Sequence, residues 1–421
     1  VSVPADRTCD CCIIGGGIIG LSIARELAGR GHRVRVLARD RRRDTASWAA
    51  AGIFPPAPES DEPNAALTAF SDRLHRQWAR ELRDETGIDT ELSACGGLHL
   101  AADEPRLEAL RPAAAGWIAR GVRCDWLSAA GVAEVEPALA VAVAAGRVVG
   151  GFLLPDEMRI RPPRHLAALE ASCLARGVAI DHEATVTRIE SEGGRVRGLA
   201  VESPRGTEMV AADRYVLAAG AWTGPLAATL GLRVETRPIR GQIALLRLPR
   251  QGLARVVNRG LDYLVPREDG RVLAGSTLED AGFDPTTVPQ EIDRLLAMAA
   301  DLLGDLSAAT VEQTWAGLRP GSVDGLPLIG RAPACDNAFV AGGHFRAGLH
   351  QSTGTAVIVA DLIEGRQPPL AIAAFAPDRP PGPAGPDSVA AYLARAAAER
   401  SHGGCAASGW PSTHFLRFWA S

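Results

Sequence analysis

The sequence predicts a two-domain α/β protein: a Rossmann-like dinucleotide-binding domain assembled from separate segments, and a second domain built on an antiparallel sheet. Three observations predict it. An apolar strand runs into the turn Ile13-Ile14-Gly15-Gly16-Gly17-Ile18-Ile19-Gly20 and then into a helical pattern. A second strand meets glycine at Tyr215-Val216-Leu217-Ala218-Ala219-Gly220, far along the chain. Between residues 237 and 282 the pattern is strand-rich, with strands expected at 242–246, 263–265 and 272–275. At 421 residues the chain is long enough to bury two cores.

The first unit sets the rest. Gly15, Gly17 and Gly20 fall on the G-x-G-x-x-G spacing. Gly15 permits the sharp turn, Gly17 lets a pyrophosphate approach the backbone, and Gly20 lets helix and strand pack closely. The helix over 21–29 aims its free N–H groups and positive end at the phosphates, and Ile18 and Ile19, between the glycines, are expected at the cofactor too. A strand over 33–37 completes a βαβ unit. The acid that usually binds the adenosine ribose about 20 residues after the glycines is replaced by Ala38. Asp40 lies two residues on. The cluster Arg39, Arg41, Arg42, Arg43 reads either as a solvated basic loop or as a site for a 2′-phosphate.

Composition narrows the chemistry. The net charge of −4 and pI near 6.2 give no footprint for nucleic acid. The longest apolar stretch, 13–28, is interrupted by Arg25 and Glu26, so no membrane span is expected. No basic-then-apolar leader precedes the first strand, and the cytoplasm is the expected location. Eight cysteines are scattered; Cys9, Cys11 and Cys12 crowd a strand and lack metal-site spacing. There is no lysine. That removes a pyridoxal-phosphate Schiff base, a P-loop lysine and a lysine general base.

Further along, small residues from Thr45 to Gly52 allow a backbone to approach a flat ligand. Apolar positions Leu67, Phe70, Leu74, Trp78 and Leu82 predict a helix over 65–86. A strand over 96–101, helices over 104–121 and 164–176, and a hairpin turning at Gly193-Gly194 follow. A helix is expected over 285–303. Two glycine-rich turns then appear, Gly317-Leu318-Arg319-Pro320-Gly321 and Gly342-Gly343-His344-Phe345-Arg346-Ala347-Gly348, with a helix over 352–362 after the second. Pro and Gly dominate 368–386, a short Ala-rich helix is possible over 388–400, and 401–421 has no period. Residues 367–421 therefore read as a mostly flexible tail. Its Trp410, Phe415, Phe418 and Trp419 offer a docking surface as an alternative. The first domain is expected to comprise 9–55, 150–232 and 312–366, and the second 56–149 and 233–311, with the helix at 60–90 assignable to either.

Taken in order, these motifs resemble the flavin-dependent D-amino acid oxidase group, and within it glycine oxidase most closely. The likeness spans about 11–367 and also rests on Arg240-Gly241-Gln242, Tyr263-Leu264-Val265-Pro266-Arg267 and Asp324-Gly325-Leu326-Pro327. The resemblance implies non-covalent FAD, its pyrophosphate at Gly15, Gly17 and Gly20. It implies Ser47, Ala50 and Gly52 along the flavin, Val186 at the adenosine, and Ala219 with Gly220 near the pyrophosphate. Gly343, His344, Arg346 and Gly348 would approach the isoalloxazine. Arg319, Tyr263 and Arg346 would hold a substrate carboxylate, for which arginine is the planar, always-charged fork. The implied reaction is hydride transfer from substrate Cα to flavin N5, on glycine, sarcosine or a small D-amino acid. An oxo acid, ammonia or amine, and H2O2 would result. The partners are then a small amine and O2 or another acceptor, with a homo-oligomer left open. Sarcosine-oxidase relatives use a lysine near the flavin, which this chain lacks, so a dehydrogenase passing electrons to a quinone or protein is the first alternative. A non-catalytic flavoprotein and an NADP-binding reductase are the others. His350-Gln351, after the last glycine turn, places polar groups on the acceptor side.

Overall fold

The computed structural model describes residues 9–39, 45–249, 252–380, 382, 385 and 388–402. Asp40, Arg41, Arg42, Arg43, Trp410, Phe415, Phe418 and Trp419 lie outside the described residues.

Strand Cys9–Ile14 is central in a six-stranded sheet. The order is Leu328–Arg331, Ala338–Gly342, Ala212–Leu217, Cys9–Ile14, Val34–Leu37, Ala179–Asp181. All neighbours are parallel except the first pair. Side-chain alternation splits this strand between two layers. Cys11 and Ile13 pack with helices Ile18–Gly29, Pro63–Thr86, Pro162–Ala175 and Ser352–Glu364. Cys12 and Ile14 face a three-stranded antiparallel sheet, Thr185–Glu192, Arg195–Ser203 and Gly206–Val210. The crowded cysteines are thus small buried hydrophobes. Burial pushes the Cys11 thiol up to about 12. No cluster suited to a metal occurs among the described residues.

The helix Pro63–Thr86 is capped by Glu62, whose carboxylate accepts from Asn64 N and Ala65 N. It buries Leu67, Trp78 and Leu82 against the parallel-sheet core. Arg25 sits inside the apolar run because three partners satisfy it. It donates to Ser172, Glu81 and Glu85 and lies over the Trp78 ring.

The second sheet has eight strands, ordered Thr310–Ser322, Thr236–Arg247, Arg271–Gly275, Asp262–Pro266, Val256–Arg259, Gly97–Ala101, Gly150–Leu154, Asp125–Ser128. It is antiparallel apart from one parallel pair, Val256–Arg259 with Gly97–Ala101. Helix Pro289–Leu303 covers one face through Leu295, Met298, Ala299 and Leu302. The other face carries Ile243, Tyr263 and Val265. Two strands depart from the expected division. Gly150–Leu154 and Thr310–Ser322 lie in this sheet rather than with the parallel one. Their local sequences do not specify a partner; pairing with Gly97–Ala101 and with Thr236–Arg247 does.

The described part of the expected tail is packed. Phe375 is fully buried, and Arg379 donates to both Asp324 carboxylate oxygens at 2.8 and 2.9 Å. A helix, Val389–His402, closes the described chain and buries Val389, Tyr392 and Ala396. Composition misleads here because Phe375 and Arg379, within the Pro/Gly stretch, and the helix Val389–His402 after it are seated on the fold. Among the described residues no helix is long and apolar enough to cross a membrane.

Candidate active site

A cavity of about 650 Å³ opens between the glycine turn and the inner face of the eight-stranded sheet. At its first end Gly15 takes φ 122°, and an ideal Cβ there would lie 2.3 Å from the Ala218 carbonyl oxygen. A Cβ on Gly20 would lie 1.9 Å from the Gly15 oxygen, so Gly20 sits beneath the turn and does not line the cavity. Helix Ile18–Gly29 has no side-chain cap at Gly17. Ser47 Oγ accepts from Ile18 N at 2.9 Å, joining the small-residue loop to the helix start. With Ser47 taking Ile18 N, the remaining first-turn N–H groups of the helix are suited to an anion.

Ala38 is buried at the cavity edge, and an ideal Cβ on Gly16 would meet its methyl at 2.7 Å. Arg39 lines the same edge and lies 4.1 Å over the Trp222 ring. Val186, Ala219 and Gly220 complete this end.

The middle of the cavity is the small-residue loop. Gly52 takes φ 76°, and a Cβ there would lie 2.1 Å from the Ile160 oxygen. Arg267, from the other sheet, holds this loop. It donates to the Ala51 oxygen at 2.8 Å and the Ile160 oxygen at 2.9 Å. Burial draws its pKa down to about 10. Trp315 Nε1 donates to the Ala49 oxygen at 3.2 Å, a second tie between the sheets.

The last glycine turn closes the far wall. Gly343 supplies φ 72° but does not line the cavity. His344 does line it; Nε2 pairs with Thr355 Oγ1 at 3.0 Å, and burial pulls its pKa to about 3, so the ring is neutral. Gly348 leaves room beside it, since a Cβ would lie 3.3 Å from the His344 Cβ. His350 is held by Asp72 at 2.9 Å and stacked on Phe54, while Gln351 donates to Asn64 and Thr68. Both polar side chains are therefore committed to protein partners.

Arg319, Tyr263 and Arg346 line the same cavity. Arg319 donates to Ser276 Oγ at 2.8 Å and to the Thr277 oxygen at 3.2 Å. Among the described residues it forms no ion pair with a carboxylate. Burial draws its pKa below the usual guanidinium value, against the neighbouring Tyr263 phenol, which supports the charge. Two glycines make this arrangement possible. A Cβ on Gly241 would lie 2.1 Å from Arg319 Nη1, and one on Gly275 would lie 2.7 Å from the Tyr263 ring. Of the residues expected to hold the cofactor or the carboxylate, Gly20 and Gly343 stay outside the lining. Sequence reasoning missed the roles of Gly241, Gly275 and Arg267, and missed Tyr392 altogether. Gly241 and Arg267 sit inside motifs it did single out.

The sequence pattern of the FAD dependent oxidoreductase family matches residues 10–362. The chain belongs to this family. It is 35% identical to glycine oxidase of Pseudomonas putida KT2440 over 369 residues, covering 87% of this chain and 97% of that one. Its fold superimposes on the crystal structure of glycine oxidase from Geobacillus kaustophilus with a TM-score of 0.82. There the identity is 32%, over 89% of this chain and 100% of that one. Iminodiacetate oxidase from Chelativorans sp. BNC1 is similar with a TM-score of 0.76 and 26% identity, over 87% of this chain and 98% of that one. The protein is thus a FAD-dependent oxidoreductase of the glycine-oxidase type, and its class of chemistry is amine or amino acid oxidation. The cavity fits FAD: a glycine cradle that a Cβ would fill and a helix N-terminus with no side-chain cap from Gly17 stand at one end, a wall of small residues in the middle.

Proposed function

We propose that this oxidoreductase oxidises glycine, sarcosine or a small D-amino acid to the imine, which hydrolyses to an oxo acid and ammonia or amine. The observation that carries the reading is the Arg319, Tyr263 and Arg346 group in the same cavity as the glycine cradle. The Arg319 guanidinium, which forms no ion pair with a carboxylate among the described residues, is suited to a substrate carboxylate. Gly15, Gly17 and the helix start hold the FAD pyrophosphate; Ser47, Ala50, Gly52, His344 and Gly348 border the ring. Bound FAD supplies the hydride acceptor and, with O2, yields H2O2. Arg319 fixes the carboxylate, which orients the Cα–H, and orientation is the protein's main contribution. His344, neutral through burial, takes no proton across the working range. None of the seven described cysteines lines the cavity, which supports FAD held without a cysteinyl bond.

The absence of lysine favours one second reading, a dehydrogenase with a quinone or protein acceptor. The test is a visible spectrum of the purified holoenzyme under anaerobic addition of glycine, sarcosine and D-alanine, followed by admission of air. Bleaching of the flavin bands by one of them is expected. A flavin that none bleaches refutes the substrate class. Bleaching without peroxide on admitting air transfers the reading to the dehydrogenase.

A further inference from the structure

The helix Val389–His402 lies outside residues 10–362, the span that the family's sequence pattern matches. It is nevertheless built into the cavity. Ser388 is fully buried and its Oγ accepts from Ala391 N at 3.2 Å, starting the helix. Val389, Tyr392 and Ala396 recur at helical spacing on one face and pack with Ile239, Leu278 and Phe345. The seat is shaped for them. A Cβ on Gly321, in the strand that carries Arg319, would lie 2.1 Å from the Val389 side chain.

Tyr392 lines the cavity together with Arg319, Tyr263 and Arg346. Its ring meets Phe345 edge-on at 5.1 Å, and the Arg346 guanidinium lies 5.0 Å from its centre. Phe345 has φ 49°, a left-handed backbone that a bulky residue rarely adopts. Its side chain is pinned under the helix, between two cavity-lining residues, His344 and Arg346.

We propose that this helix is part of the active site: the Tyr392 ring walls the substrate compartment on the carboxylate side and limits the size of the amine admitted. The inference rests on the reading of Arg319 as the carboxylate site. It assigns to this chain a specificity element that the family's shared span does not contain.

The test compares the wild-type holoenzyme with Tyr392→Ala, which removes the wall, and Ala396→Glu, which unseats the helix from a residue outside the cavity lining. Two quantities are read: the ratio of kcat/KM for D-phenylalanine to that for glycine, and iodide quenching of the flavin fluorescence without substrate. Both variants are expected to raise the ratio at least tenfold and the quenching constant at least twofold. Tyr392→Phe, which keeps the ring, is expected to restore wild-type values. A wild-type enzyme that oxidises glycine, with neither quantity changed in either variant, overturns the wall and leaves the proposed function standing. A wild-type enzyme that oxidises none of glycine, sarcosine, D-alanine and D-phenylalanine, with quenching raised in both variants, supports the wall and overturns the amino acid reading. Should one variant fail to fold, the other decides.

Discussion

Gly241→Ala tests the carboxylate site without removing any group assigned to it. Gly241 sits in strand Thr236–Arg247, and its φ is not left-handed, so alanine brings no backbone strain. What it brings is a methyl 2.1 to 2.3 Å from Nη1, Nη2 and Cζ of Arg319. Ordinary contact is about 3.5–4.0 Å, so the guanidinium retreats by about 1.5 Å. The Arg319 bonds to Ser276 and the Thr277 oxygen, at 2.8 and 3.2 Å, do not survive that movement in their present form. Loss of one charge-assisted hydrogen bond to a carboxylate is worth about 1.5–3 kcal/mol, or roughly 10- to 150-fold. Misplacement of a positioning group by about 1 Å also costs about 100-fold. We expect KM for the amino acid, and Kd for an inert carboxylate read from the flavin spectrum, to rise about 100-fold. Flavin retention and Tm should stay near wild type, because the displaced group is the far end of a flexible side chain. The double variant with Arg319→Ala should be no worse than Arg319→Ala alone, since the clash has lost its target. An unchanged KM, or full additivity in the double variant, refutes Arg319 as the carboxylate fork.

Ala38→Glu restores an acid at the ribose position and is expected to tighten FAD by about 1.5–3 kcal/mol, one charge-assisted hydrogen bond. Fluorescence titration of apoprotein with FAD reads it, and looser binding shows that another group fills the place. Arg379→Ala leaves Asp324 buried without its partner and is expected to lower stability by about 3 kcal/mol at pH 7, measured by urea unfolding. Burial raises the Asp324 pKa, but the Arg379 guanidinium outweighs it and holds the carboxyl below its ordinary 3.8. The pair's contribution is therefore complete above pH 3.8 and is lost as pH falls through the lower folded value, so the gap between variant and wild type narrows in acid. Cys11 and Cys173, both pushed up to about 12 by burial, should resist a thiol reagent at pH 8 until the protein is denatured. Peptide mapping of labelled thiols checks this, and native labelling of either contradicts the packing described.

How much was legible follows from the range of each interaction. The glycine spacing at Gly15 to Gly20 was readable because the left-handed φ at Gly15 and the 1.9 Å approach at Gly20 are met within one turn. The helix at 63–86 was readable because its buried face, Leu67, Ser71, His75, Trp78 and Leu82, recurs at helical period. The strands Gly150–Leu154 and Thr310–Ser322 were not assignable to a sheet, because a strand's local sequence does not specify its partner.

The sequence by itself determined the strand–glycine–helix start, the α/β class, the absence of lysine chemistry and the residue types able to hold a dinucleotide and a carboxylate. Each of these depends on period, on conformations that few residues adopt, or on composition. Only the tertiary structure decided that Gly241 makes room for Arg319, that Arg267 crosses 216 positions to hold the Ala51 carbonyl, and that Tyr392 reaches the cavity from beyond the family's span. These are contacts between segments distant in sequence. They depend on how two sheets are apposed, and a single chain read in order carries no local signal of that apposition.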